Sequence, residues 1–204
     1  MPDPARAYHH GDLRRALIHS ALHVIERDGL ANLSLRHLAR QLGVSHAAPV
    51  HHFGDKAGLL TAIAADGFLM LAEELRRAYA ATGSFLEVGV AYVHFAVCQR
   101  AYFEVMYRPE LYHADDAALE AARQQARAAL YGPLGDRPDV PPPEAGNAGL
   151  AAWSLVHGLA TLLLTGNLPP DASRDSESLT RSVAGYLFQQ PAQRRGAQRG
   201  PRRI

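Results

Sequence analysis

Apolar residues recur at helical spacing along most of the 204-residue chain, and no stretch alternates with a period of two, which predicts an all-α protein. Leu13, Ala16, Leu17, Ala21, Val24 and Ile25 make one face of a first helix, capped at Asp12 and ending before Gly29. Leu35, Leu38, Ala39 and Leu42 stripe a second helix, capped at Ser34. Gly43 follows where a left-handed residue ends a helix cheaply, and Val44 supplies an apolar plug. Ser45 then caps a short third helix through His52, with Pro49 in the first turn, where a missing N–H is no loss. Phe53 anchors the next turn. Asp55 opens a long helix to about Ala78 that carries Leu59, Leu60, Ile63, Phe68, Leu71 and Leu75. The first seventy residues therefore read as a three-helix bundle with a helix-turn-helix at 34–53, whose second helix is sized for a DNA major groove.

The remainder repeats the helical pattern. Phe85, Val88, Ala91, Tyr92, Phe95 and Ala96 predict a helix to about Gln99, followed by a short one through Met106 that Pro109 breaks. Asp115 to Tyr131 is Ala-rich, with acids first and arginines later, as the helix dipole prefers. Gly132 to Gly146, with Pro133, Pro138, Pro141, Pro142 and Pro143, reads as a loop before helices at Asn147–Gly166 and Asp175–Phe188. The expected organisation is an arm at 1–10, a helix-turn-helix domain at 11–71, a C-terminal regulatory and dimerisation domain at 72–190, and a disordered basic tail at 191–204. The long helix joins the two domains, and no internal repeat is present.

Composition narrows the function. Formal net charge is only +1, and the tail's five arginines outweigh it, leaving −4 on residues 1–190. DNA affinity must then come from local basic groups rather than a global field. Cys98 is the only cysteine, so an internal disulfide is excluded and a reducing cytoplasm is the expected home. The N-terminal residues lack the apolar run of a secretory signal. Ala145 to Pro170 holds no fixed charge, but its Gly, Ser, His, Thr and Asn content favours a buried helix in a soluble assembly over a membrane span. With no glycine-rich phosphate loop, nucleophile elbow or paired-cysteine metal site, the chain reads as no enzyme, and no cofactor is expected. His19, His23 and Glu26 share a face of the first helix and read as a solvated face rather than a metal site.

AYHHGDLRRALIHSALHVIERDGL followed by SLRHLARQLGVSHAAPVHHFGDKAGLL resembles the DNA-binding domain of TetR-type transcriptional regulators from about Gly11 to Leu71. Trp153 with His157-Gly158, and more loosely Ala91–Tyr107, resembles the WHG-type C-terminal regulatory domain of one branch of that family. The resemblance implies a homodimer on a pseudo-palindromic operator, usually a repressor until a small molecule binds the C-terminal domain. One departure stands out: Val50 fills the slot where the family commonly has a Tyr that contacts a phosphate. Without a donor there, His51 and His52 are the groups left to compensate.

Recognition helices present their N-terminal residues to base edges, here Ser45, His46 and Ala47. His46 is expected to donate to guanine N7 or O6 and Ala47 to pack on a thymine methyl, with Pro49 fixing the helix start. Ser34 is expected at the backbone and Arg36 at the backbone or a groove edge, and Lys56, the only lysine, matches the family's phosphate contact. For an apolar effector, Tyr92, Phe95, Cys98, Tyr102, Met106, Trp153 and His157 are the candidate lining, the alternative being plain core. A ligand there would act by tilting the long helix. The uncharged helix around Trp153 also demands cover on every side. Gly149, Trp153, Ser154, Gly158 and Leu162, with Leu179, Val183 and Tyr186, are the expected dimer interface, a two-fold four-helix arrangement. The alternative function is a DNA-binding regulator without small-molecule control.

Overall fold

A computed structural model describes residues 10–135, 142–169, 171 and 174–188. Its described residues form α-helices α1 (His10–Asp28), α2 (Leu35–Gln41), α3 (Ala47–Phe53), α4 (Lys56–Thr82), α5 (Phe85–Cys98), α6 (Arg100–Met106), α7 (Ala117–Gly135), α8 (Pro142–Leu164) and α9 (Ser176–Phe188), with short 3-10 turns at Leu30–Asn32 and Pro109–Leu111. No strand occurs among the described residues. The expected all-α architecture holds; the expected tail at 191–204 and residues 1–9 of the expected arm at 1–10 lie outside the described residues, while His10 opens α1 instead of ending the arm.

The chain packs as two units, Met1–Glu73 with Cys98–Ala128, and Glu74–Val97 with Ala129–Ile204. This division departs from the expected boundary at 71/72, because Cys98–Ala128 joins the N-terminal helices. The reason is burial: Ala101, Phe103, Val105, Met106, Leu119 and Ala122 are all core, and α6 lies against α1. In the first unit, Leu17, Ala21, Leu38, Ala39, Leu59, Leu60, Ile63 and Ala64 are almost wholly shielded from water. Tyr112 donates to the Met106 carbonyl and receives Arg123, whose guanidinium lies over the Phe68 and Tyr112 rings. In the second unit Val88, Tyr92, Val93, Phe95, Ala160 and Thr180 are buried. There Arg181 binds Glu87 with two 2.9 Å hydrogen bonds and also reaches Glu177, tying α9 to α5.

Several helix boundaries differ from expectation. Helix α1 begins at His10, so Asp12 stands inside its first turn rather than at the cap. Helix α4 runs on to Thr82, where Gly83 at φ 62° accepts the left-handed turn. Helix α7 continues through Gly132 and Pro133 to Gly135, because burying Leu130 and Leu134 outweighs one lost N–H near a helix end. Helix α8 starts at Pro142, five residues early, since proline fits the first turn, where the N–H has no helical partner.

Candidate nucleic-acid interface

Three short segments build the site within the first unit. Ser34 has extended backbone as the N-cap of α2, but its hydroxyl makes no capping bond. Gly43 takes φ 65°, and the Val44 N–H returns to the Ala39 carbonyl at 3.0 Å, which closes α2 and turns the chain. Helix α3 then starts at Ala47 with His46, not Ser45, as its N-cap; Ser45 contributes only its carbonyl, accepting from the Ala48 N–H at 3.0 Å. Pro49 is buried beneath the helix, so it supports the surface instead of belonging to it. Ala47, Val50 and His51 lie at i, i+3 and i+4 and are exposed together, with exposed His46 at the head of the helix. His52 and Phe53 are half-buried, and the Arg14 guanidinium sits 5.6 Å from the Phe53 ring centroid.

The joint between α3 and α4 is tightly specified. Gly54 adopts φ 75°, and a Cβ on Gly58 would collide with the Phe53 carbonyl. Asp55 caps α4 by accepting the Gly58 N–H at 2.8 Å. That hydrogen bond, with the nearby His113 ring 3.4 Å away, holds the Asp55 carboxyl below its ordinary range. The acid closest to α3 in sequence is therefore engaged by the first turn of α4. Arg36 and Arg40 are exposed on α2, and Arg40 donates to His37 Nδ1 at 3.1 Å. Lys56 is half-buried and donates to the Leu30 carbonyl at 3.2 Å, a bond that sequence spacing could not reveal. An ammonium has three donors, so the same group can also meet a phosphate.

The candidate ligand residues divide between the two units. Cys98, Tyr102 and Met106 belong to the first; Cys98 is exposed, Tyr102 half-buried and Met106 core. Tyr92, Phe95, Trp153 and His157 belong to the second. Phe95 is wholly buried as core. Tyr92 Oη receives Trp153 Nε1–H at 3.2 Å and lies 2.9 Å from His157 Nδ1. Burial holds the His157 imidazole below its ordinary pKa, which favours the neutral ring beside the phenol. A narrow cleft in this unit is instead lined by Phe85, Leu86, Gly89, Leu130, Ala152, Leu155, Val156 and Ala184, almost entirely apolar, with free space for about one water.

Of the expected dimer residues, Gly149 is occupied within its own chain, since a Cβ there would meet the Tyr131 ring at 2.8 Å. Gly158 has open space instead, Ser154, Leu162 and Tyr186 are exposed, and Trp153, Leu179 and Val183 are half-buried.

Two family models match: the domain described as "Bacterial regulatory proteins, tetR family" over residues 17–63, and "Tetracyclin repressor-like, C-terminal domain" over 85–186. A protein of unknown function from Rhodococcus sp. RHA1 is 33% identical, with a TM-score of 0.77, the alignment covering 90% of this chain and 97% of that one. The TetR family transcriptional regulator PfmR from Thermus thermophilus shares the fold at 20% identity and a TM-score of 0.65, over 90% of this chain and 99% of its own. The HTH-type transcriptional regulator BetI of Paraburkholderia phytofirmans is 44% identical over 52 residues, 25% of this chain, and the match spans only 27% of that protein's length.

Proposed function

Because the chain belongs to the TetR family of transcriptional regulators, we propose that it is a cytoplasmic, ligand-responsive repressor that binds a pseudo-palindromic operator as a homodimer. The observation that carries this reading is the α2–Gly43–α3 turn, which leaves His46, Ala47, Val50 and His51 exposed on one helix between basic flanks. His46 reads a guanine edge and Ala47 a thymine methyl, while Ser34, Arg36, His51, His52 and Lys56 hold phosphates. Helices α8 and α9 form the two-fold interface, which sets the recognition helices about 34–36 Å apart, one turn of duplex.

Selecting bound DNA from a random pool tests the reading and is expected to return an inverted repeat. On that site His46→Ala costs about 1–3 kcal/mol and relaxes preference at one base pair. Lys56→Ala weakens every sequence alike and lowers the salt slope by about one. Identical behaviour of the two variants in salt-dependent titrations would refute the assignment of base reading to one and phosphate anchoring to the other.

The narrowness of the apolar cleft in the second unit favours a second reading, regulation without a small molecule. Under the primary reading an apolar effector enters the narrow cleft by displacing side chains and releases the operator. Screening apolar compounds for those that both raise the melting temperature and dissociate the operator separates the two readings.

A further inference from the structure

The assignment of α3 to the major groove leaves one exposed side chain without a role. Val50 is 50% exposed, one turn after Ala47 and next to His51. Residues 44–54 contain no Lys, Arg, Asp or Glu, so the helix offers a groove only its histidines, small residues and this valine. Valine has neither donor nor acceptor and cannot engage a phosphate or the polar atoms of a base. Its exposed methyls gain only by leaving water against another apolar group. Along the major-groove edges of unmodified DNA, that group is the C5-methyl of thymine.

We propose that Val50 is a specificity-determining residue that reads a thymine methyl, forming with Ala47 an apolar strip between His46 and His51. The inference rests on the DNA-binding reading of α3 and adds a base requirement to it: each half-site carries a thymine that Val50 covers. It also accounts for the absence of a phenol at this position, since the contact with the backbone is exchanged for one with a base.

The test uses the full chain and duplexes selected from a random pool. Failure to select any preferred duplex overturns the DNA-reading function and the proposal together. Each thymine of the selected site is then replaced in turn by deoxyuridine, which removes the methyl and keeps the base pair. Beside any penalty at the thymine assigned to Ala47, the expected result is an about four-fold rise in Kd at the thymine that Val50 covers in each half-site, the value of one methyl-sized apolar group. In Val50→Ala that penalty falls below about two-fold, because the two losses are coupled. Circular dichroism confirms that the variant is folded. If every thymine carries the same penalty in both proteins, or none carries any, the role of Val50 is overturned while the DNA-binding reading stays intact.

Discussion

Tyr92 shows what a single buried hydroxyl does here. It is fully shielded, and its oxygen bonds both Trp153 and His157. Tyr92→Phe leaves an indole N–H and an imidazole nitrogen without that partner, and we expect a loss of about 1–3 kcal/mol in urea unfolding. His157 adds a pH dependence whose sign is fixed. Its folded pKa is lowered by burial, so below about pH 6.5 the unfolded chain takes up a proton that the folded chain refuses. Stability contributed by the neutral ring is present above that pH and is lost on acidification. Melting temperatures of the wild type should therefore fall more steeply than those of His157→Gln between about pH 7 and 5.5; parallel curves would remove His157 as the cause. Trp153 and His157 are visible in the sequence as a motif. Tyr92 on α5, about sixty residues away, is grouped with them as candidate lining, but the hydrogen bonds it makes to both are not legible, because spacing along a chain carries no information on which polar atoms meet.

The legibility of the elements follows the same physics. The α2 stripe, Gly43 and the long helix are readable because each depends on neighbours within a few residues. The end of α7 and the start of α8 are not, since Pro133 and Pro142 read as breakers although tertiary burial and first-turn placement make both tolerable. Gly58 escapes notice for a related reason. Inside a helix glycine looks like a mere cost, whereas here the α3–α4 turn leaves no room for a Cβ against the Phe53 carbonyl. Gly58→Ala should accordingly destabilise the first unit by about 1–3 kcal/mol through overpacking and displace α3, weakening operator binding. An exposed-helix substitution would instead be neutral or slightly stabilising, so denaturation of this one variant decides the matter.

For the whole molecule, the decisive quantity is the apolar surface that one chain leaves uncovered. Helix α8 is long and apolar enough over Gly146–Leu164 to pass for a membrane span, and only 28% of that stretch is buried within the chain. Leu150 at 52%, Leu162 at 42% and Tyr186 at 67% exposure lie on α8 and α9. Under the proposed function a second copy covers this surface with the same surface on both sides, and a two-fold axis also supplies the symmetry that an inverted repeat needs. Replacing Leu162 with Glu places a charge in the proposed interface without disturbing the core, because the side chain is already exposed. The expected outcome is a dimer-to-monomer shift in sedimentation equilibrium, an unchanged helical spectrum, and loss of preference for the full operator over a half-site. A Leu162→Glu protein that still sediments as a dimer would move the interface away from this end of α8, and the spacing of the recognition helices would then need another origin.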